Sequence, residues 1–255
     1  MRYTAQREHV VRAVSQLTRW GSLDPNGGAI SVRTDSGDIV STTAGGPLNH
    51  WDISTRDTIV YDAEGGVVER ITGHAPVDTP LHLAAYREFE HCHALVHAHA
   101  PYSLAFASLG LGVPTVTTRS DLLGEVPCFT FDEAAAREDV ATGRAEVRVP
   151  DCMRSRPESI AGYELGLIPH MLEQIGPRAG ELKAHGVGFV AYRHGVFILA
   201  NNLTAAVASL HNIECTARTA LFQAILHGGI AGIEPDVLLG GLPAPDGGAL
   251  GAAGS

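Results

Sequence analysis

Two histidines separated by one residue, His97 and His99, follow an apolar run that begins at Ala94. Such a run predicts a buried strand, and residues two apart on a strand project from the same face. Both imidazoles are therefore expected to point to one place. Two convergent neutral imidazoles are a common way of holding zinc or a similar divalent metal. The alternative interpretation is a pair of ordinary core or surface histidines.

Composition narrows the class of protein. The chain has 255 residues, 45% of them hydrophobic, which is enough for a sizeable core. Its formal net charge of −10 argues against nucleic acid or an anionic membrane as the main partner. No apolar stretch reaches the roughly 20 residues of a membrane helix, and the first residues are polar, so we expect a cytoplasmic protein.

The four cysteines have no Cys-x-x-Cys spacing, so they predict neither a disulfide framework nor a zinc finger. We expect reduced thiols. Cys92, which lies between two histidines, is kept only as an alternative metal ligand.

Hydrophobic spacing predicts alternating helices and strands along most of the chain. The expected helices cover about residues 4–20, 78–86, 103–109, 157–175 and 203–227, the last of them capped by Asn202. The expected strands cover 29–33, 39–42, 58–61, 67–71, 94–99, 113–116, 126–131, 188–192 and 195–199. We therefore predict one α/β domain over residues 1–232 and a flexible tail rich in Gly, Pro and Ala over residues 233–255.

Three motifs stand in order along this pattern: an acid-Thr-Pro-Leu-His helix start at residues 78–82, the pair His97 and His99, and the dipeptide His194-Gly195 before a strand and a long helix. Together with a Gly-Gly-Ala-Ile-Ser-Val-Arg hairpin at residues 27–33, this set resembles the class II aldolase/adducin family from about residue 7 to residue 225. The resemblance implies a three-layer α/β/α sandwich around a central, mainly antiparallel sheet.

The same resemblance implies a metal site. Its ligands would be His97, His99 and His194, and its metal Zn²⁺, with Fe²⁺, Mn²⁺ or Co²⁺ as alternatives. His185 also precedes a glycine, but only His194 is followed by the strand, turn and helix that the family has. The resemblance further implies a small-molecule substrate and a homotetramer with active sites at subunit interfaces.

Two aspartates are candidate catalytic residues. Asp78 stands where the family's aldolases have a glutamate that binds metal and acts as the base, and where its epimerase has an aspartate. The simpler interpretation of Asp78 is a helix N-cap, and the two roles are compatible. Asp121 resembles the acid/base aspartate of the epimerase, and its simpler interpretation is a loop residue.

Five further residues are candidates for binding the substrate. Arg119 would bind a carboxylate or phosphate through its planar guanidinium, unless it is an ordinary surface arginine. The other four candidates are Asn26, Thr43, Gly45 and Tyr102.

The phosphate-binding residues of the family are missing from this chain. Pro76 and Val77 replace a Ser-Ser pair, Ala29 replaces an Asn, and the basic residue of the epimerase falls near Thr42. The proton-donating tyrosine of the aldolases falls near Thr118. Because anion sites need convergent N–H and hydroxyl donors, we predict a substrate without the usual sugar phosphate.

These observations favour a metal-dependent carbon–carbon lyase of the aldolase type, which stabilises an enediolate formed from a non-phosphorylated hydroxy-carbonyl or keto-acid substrate. A metal-dependent epimerase or decarboxylase of the same family and an iron-dependent oxygenase are alternatives. A non-catalytic, adducin-like scaffold is a further alternative, although a scaffold has no need of three convergent imidazoles.

Overall fold

A mixed sheet runs through the part of the chain that the structure describes, and helices cover both of its faces. The structure is a computed structural model that describes residues 1–25, 27–44, 50–130 and 162–227, together with residues 132, 134, 135, 138 and 142. The candidate residues Asn26 and Gly45 and the predicted tail lie outside the described residues.

Most helices and strands lie where the sequence predicts them, but the short helix at Thr118–Leu123 is not among the predicted elements. In the described ranges the helices are α1 (Thr4–Arg19), α2 (Thr79–Glu88), α3 (Pro101–Ser108), α4 (Thr118–Leu123), α5 (Gly162–Ile175) and α6 (Leu203–His227), with 3₁₀ segments at Thr55–Asp57 and Gly176–Lys183. The strands are β1 (Gly28–Arg33), β2 (Ile39–Thr42), β3 (Thr58–Tyr61), β4 (Val67–Arg70), β5 (Ala94–Ala98), β6 (Cys128–Phe129), β7 (Val187–Ala191) and β8 (Gly195–Ala200).

The described strands form one sheet in the order β4-β3-β2-β1-β5-β8-β7-β6. Every neighbouring pair is antiparallel except β6 and β7, which are parallel. Strand β5 lies in the interior of the sheet, where Ala29 of β1 and Phe197 of β8 flank His97. This arrangement confirms the predicted mainly antiparallel sheet.

Each face of the sheet packs against its own helices. On β5, Val96 and Ala98 belong to a core that includes residues of α1, α3 and α6, whereas Leu95 belongs to a core with residues of α2 and α5. Because residues two apart on a strand share a face, His97 projects from the face that carries α2. The two cores confirm the three-layer sandwich.

Several sequence predictions about element ends are confirmed. Helix α1 buries Val10, Val14 and Leu17, which recur at helical spacing. The amide N–H of Ala205 donates to the side-chain oxygen of Asn202 at 2.8 Å, so Asn202 caps α6 as expected.

Other local predictions are wrong, for identifiable reasons. Asp78 directly precedes α2 but makes no capping hydrogen bond with its side chain, because its own backbone is already helical (φ −73°, ψ −8°) and its side chain is buried. The expected strand at 113–116 reduces to an isolated bridge between Val113 and Val126. Pro114 lacks the N–H that would extend the ladder.

None of the helices in the described ranges combines the length and apolar character that crossing a bilayer would require.

A buried polar network links α2 to β1. The hydroxyl of Ser31 lies 2.7 Å from Nδ1 of His82 and 2.6 Å from the hydroxyl of Tyr86. Nε2 of His82 is buried and has no hydrogen-bond partner among the described residues. Burial lowers the pKa of His82 to about 3, so this imidazole is neutral in the folded chain.

The neutral state of His82 predicts acid sensitivity. Between the ordinary histidine pKa of 6.5 and a folded pKa of about 3, the unfolded chain binds a proton that the folded chain does not. The free energy of unfolding should therefore fall as the pH drops below 6.5, by up to about 1.4 kcal/mol per pH unit from this group. Urea unfolding of metal-free protein at one chain concentration measures the slope.

The variant His82→Asn should lose the part of the pH dependence of the unfolding free energy that His82 contributes. His74→Asn, which replaces an exposed histidine, is the matched control and should keep it. A His82→Asn variant with the slope of the wild type would show that His82 is already protonated in the folded chain.

Candidate metal centre

Three imidazoles converge at one end of the paired strands β5 and β8. His97 lies on β5, His99 directly follows that strand, and His194 directly precedes β8. One ligand atom from each of the three lies within 4.8 Å of the other two. The ring centroids form a nearly equilateral triangle, with separations of 4.8, 5.1 and 5.1 Å.

The His97 ring is held in one orientation. Its Nδ1 lies 3.1 Å from the carbonyl oxygen of Val196, and because a carbonyl only accepts, Nδ1 carries the hydrogen. The lone pair is therefore on Nε2, which is buried and has no hydrogen-bond partner among the described residues. A buried, unsatisfied imidazole nitrogen at the centre of a His cluster is what a metal ligand requires before metal binds.

Aromatic stacking supports the same ring from the side. The His97 ring lies on Phe197 with centroids 3.9 Å apart, and Phe197 stacks in turn on Phe189 at 5.0 Å. Phe129 continues the stack at 4.4 Å. The stack spans β5, β8, β7 and β6, so the position of His97 is fixed by the sheet.

Burial keeps the three imidazoles neutral. It lowers the pKa of His194 to about 3 and holds the pKa of His97 well below its ordinary value, with the neighbouring imidazoles adding to the effect. Burial also lowers the pKa of His99, although the carboxylate of Asp24 opposes this change. At neutral pH all three therefore present lone pairs and no charge, the state in which histidine binds metal.

Glycines give the imidazoles the space that they occupy. A Cβ atom on Gly195 would lie 2.5 Å from the carbonyl oxygen of Ala98, 3.0 Å from Cε1 of His97 and 3.1 Å from Cδ2 of His99. A Cβ atom on Gly27 would lie 2.9 Å from Cε1 of His99. The His194-Gly195 dipeptide is thus a packing requirement of the cluster.

Asp78 brings a carboxylate to the cluster. Its Oδ1 lies 3.9 Å from Nε2 of His97, and its side chain is 3% exposed. Because Asp78 immediately precedes α2, the start of that helix sets where the carboxylate lies. The structure therefore brings together four of the predicted site residues: His97, His99, His194 and Asp78.

Arg119 and Asp121 lie elsewhere in the chain. Both are exposed on the short helix α4, which packs against α6 on the opposite face of the sheet from His97. Arg119 lies close enough to His211 of α6 to help lower the pKa of that histidine. Within one chain, neither residue is positioned to act at the histidine cluster.

The remaining substrate-binding candidates have other contacts in this chain. The Tyr102 ring lies 5.8 Å from the guanidinium carbon of Arg218. The buried hydroxyl of Thr43 donates to the carbonyl oxygen of Asp57 at 3.1 Å.

The alternative metal ligands lie outside the cluster. Nδ1 of His185 lies 2.9 Å from the carbonyl oxygen of its neighbour Gly186. Cys92 is fully buried, and its thiol donates to the carbonyl oxygen of Ala94 at 3.6 Å. Burial raises the pKa of this thiol to about 12, which disfavours the thiolate that a metal would need.

Sequence reasoning missed the residues that surround His99. Oδ1 of Asp24 lies 3.6 Å from Nδ1 of His99, and the indole N–H of Trp51 donates to the carbonyl oxygen of Asp24. Nε2 of His50 lies 3.2 Å from the carbonyl oxygen of Gly28. The approach of Asp24 to His99 depends on the long-range pairing of β1 with β5, which spacing along the chain does not show.

Comparisons with known proteins agree with this fold. The sequence profile described as "Class II Aldolase and Adducin N-terminal domain" matches residues 8–221. The 5-deoxy-D-ribulose 1-phosphate aldolase of Bacillus thuringiensis serovar kurstaki is 30% identical over 134 residues. That match covers 52% of this chain and 62% of the relative, so the chain spans less than two thirds of the relative's length.

Two longer matches extend over most of the chain. The 3-oxo-tetronate 4-phosphate decarboxylase of Haemophilus influenzae is 25% identical over 215 residues, covering 84% of this chain and 86% of the relative. An L-fuculose 1-phosphate aldolase structure superposes with a TM-score of 0.63 at 18% identity, over 94% of this chain and 96% of that one.

The curated relatives catalyse several types of reaction: they include an aldolase, decarboxylases, a dehydratase and a probable epimerase. The profile match extends over most of the sequence, and the same fold carries the histidine cluster. The chain belongs to the class II aldolase and adducin family.

Proposed function

We propose that the chain is a divalent-metal-dependent carbon–carbon lyase that cleaves a non-phosphorylated hydroxy-carbonyl or keto-acid substrate by a retro-aldol reaction. The observation that carries this proposal is the convergence of three neutral imidazoles with a buried carboxylate, Asp78, beside one of them.

The ligands we propose are His97, His99 and His194, and the metal we propose is zinc. Three imidazoles that leave a position open for substrate are a common catalytic zinc set. The same donors are compatible with Fe²⁺, Mn²⁺ or Co²⁺. When bound, such a metal supplies a Lewis acid that draws in the substrate's oxygens and disperses the negative charge of bond cleavage.

Asp78 is proposed as the base. Its buried carboxylate accepts the proton of the substrate hydroxyl, the carbon–carbon bond breaks, and the hydroxyl carbon becomes the carbonyl of the first product. The electron pair of the broken bond goes to the other fragment, which takes up a proton and leaves as the second product. The low exposure of Asp78 keeps bulk water from competing for this proton.

The proposal of a substrate without phosphate rests on a shortage of available hydrogen-bond donors near the expected anion site. Pro76 has no N–H to offer, and Val77 has no hydroxyl. The hydroxyl of Thr42 accepts the Ile30 N–H at 3.2 Å, and that of Thr43 donates to Asp57. The relatives described above are named for phosphorylated substrates, so this chain would differ from them in the substrate's distal group.

Decarboxylation of a keto acid is the second candidate reaction. The match to the Haemophilus influenzae decarboxylase favours it, because that match covers 84% of the chain. The charge left when carbon dioxide departs is of the same kind as in retro-aldol cleavage, so the same site would stabilise it. Loss of carbon dioxide needs no base to start it, so Asp78 would then act in protonating the product.

We also propose a homotetramer in which a second copy brings Arg119 and Asp121 to the histidine cluster. Both residues are exposed and lie across the sheet from the cluster of their own chain. In this arrangement Asp121 serves as an acid and Arg119 as a substrate-binding cation.

A panel of matched substrates with and without a phosphate tests the lyase proposal. We expect aldehyde release, measured with a coupled dehydrogenase, only from the non-phosphorylated members. His97→Ala should lose metal and at least about 100-fold in rate, whereas Asp78→Asn should keep its metal and lose about 10²–10⁴-fold in kcat.

His93→Ala, at a histidine outside the cluster, is the matched control and should retain both metal and rate. Release of carbon dioxide without aldehyde would replace the retro-aldol reaction with decarboxylation. Ordinary turnover of phosphorylated substrates alone would refute the proposed substrate class.

Gly195→Ala should damage the metal site without a change of any ligand. The added Cβ would lie 2.5 Å from the backbone oxygen of Ala98 and press on two imidazoles. We expect weaker zinc binding in a chelator competition. Gly180→Ala, where a Cβ meets nothing within 4 Å, should bind as the wild type does, and equal binding by both variants would contradict the packing account.

Mixing two inactive variants tests the interface proposal. In mixed tetramers of His97→Ala and Asp121→Ala chains, about a quarter of the interface sites would combine an intact cluster with an intact Asp121. Recovery of about that share of activity after co-refolding is the expected result. No recovery in oligomers shown to be mixed would show that Asp121 does not reach the cluster of a neighbouring chain, and an Asp121→Ala variant that is active by itself would place Asp121 outside the reaction.

A further inference from the structure

We propose that Asp24 is a positioning residue that holds the hydrogen of His99 on Nδ1 and so directs the Nε2 lone pair at the metal. This inference rests on the proposed metal site and adds to it a residue outside the three ligands. Asp24 would not touch the metal and would act through His99.

The contact between the two side chains defines the tautomer. Oδ1 of Asp24 lies 3.6 Å from Nδ1 of His99, and both side chains are sheltered, at 26% and 18% exposure. This distance is slightly longer than a hydrogen bond, but the negative charge of the carboxylate still favours the tautomer whose N–H dipole, on Nδ1, points toward it. Nε2 is then left with the lone pair, which is the arrangement that Val196 enforces on His97 through its carbonyl oxygen.

Two hydrogen-bond contacts and one close approach to the ring hold the residues around Asp24 near His99. The Trp51 indole donates to the carbonyl oxygen of Asp24, and the far end of the turn is contacted by His50 at the carbonyl oxygen of Gly28. Gly27 lies against the ring, where a Cβ would come within 2.9 Å of Cε1. The carbonyl oxygens of Asp24 and Gly28 are therefore each held by a side chain of another segment.

The carboxylate of Asp24 carries a full negative charge, whereas the Val196 carbonyl beside His97 does not. Its negative charge raises the electron density of the imidazole and offsets the positive charge of a metal ion. Removal of such an outer partner typically costs about 10–100-fold in metal affinity. Asp24 is thus an outer contact that a side-chain substitution can remove, unlike the backbone carbonyl of Val196 beside His97.

Zinc affinity of purified, metal-free protein tests this role by competition with a chromophoric chelator. We expect Asp24→Ala to bind zinc about 10–100-fold more weakly and Asp24→Asn to lose less, because its amide oxygen keeps a partial negative charge beside Nδ1 of His99. Asp52→Asn removes the same charge from an exposed neighbouring position and should bind as the wild type does. An Asp24→Ala affinity within about twofold of the wild type would overturn the proposal.

Imidazole nitrogen shifts in ¹⁵N-labelled, metal-free protein provide a readout that is independent of turnover. His99 should show the Nδ1–H tautomer in the wild type and a mixture in Asp24→Ala. An unchanged tautomer would overturn the proposal even if affinity fell. If Asp24→Ala does not fold, as judged by circular dichroism, Asp24→Asn and Trp51→Phe decide the matter, since each should weaken zinc binding.

The role of Asp24 and the proposed lyase reaction can be refuted independently of each other. A protein that binds zinc through Asp24-supported His99 but releases no aldehyde or carbon dioxide would refute the lyase and leave the role of Asp24 intact. A working lyase whose Asp24→Ala variant binds zinc as tightly as the wild type would refute the role of Asp24 and leave the proposed reaction intact.

Discussion

The pairing of β5 with β8 in the interior of the sheet is the constraint on which the rest of the site depends. It sets His97 opposite Phe197 and brings the turn that carries His194 to the end of the strand that leads to His99. A slip of one residue in this register would turn His97 to the other face of the sheet. The apolar residues of both strands prevent such a slip, because each face packs against its own core.

Burial and metal binding are coupled in this arrangement. If the three imidazoles were exposed to water, protons would compete with the metal for their lone pairs near neutral pH. The buried imidazoles stay neutral and keep their lone pairs for the metal. The cost is an unsatisfied nitrogen on His97 in the metal-free chain. A bound ion would repay that cost, so we expect the metal to stabilise the fold as well as to serve the reaction.

Local pattern was sufficient to predict most of the fold and the convergence of His97 and His99, whereas His194 and Asp78 were assigned to the site through the resemblance to the class II aldolase/adducin family. Period-two and helical spacing placed β5, α1 and α6, and the order of the Asp78, His97 and His194 motifs indicated the cluster. Spacing along the chain could not predict Asp24, because its approach to His99 arises from the pairing of β1 with β5. It also could not assign Asp121 to one site, since the sheet separates that residue from the cluster of its own chain.

The capping prediction for Asp78 failed for an informative reason. An aspartate before Thr-Pro is a good N-cap by type, but here the backbone of Asp78 is helical and the side chain lies beside His97. An aspartate before Thr-Pro is expected where a helix needs an N-cap, and also where a site needs a buried carboxylate at the start of that helix. Only the position of α2 over the sheet distinguishes them.

Metal analysis of protein purified without chelator or added metal tests the central claim most directly, with X-ray absorption at the edge of whichever metal is found. The account predicts about one divalent ion per chain, held by three imidazole nitrogens, at about 2.0–2.1 Å if the metal is zinc. Protein that contains no metal and takes up none on titration would contradict it.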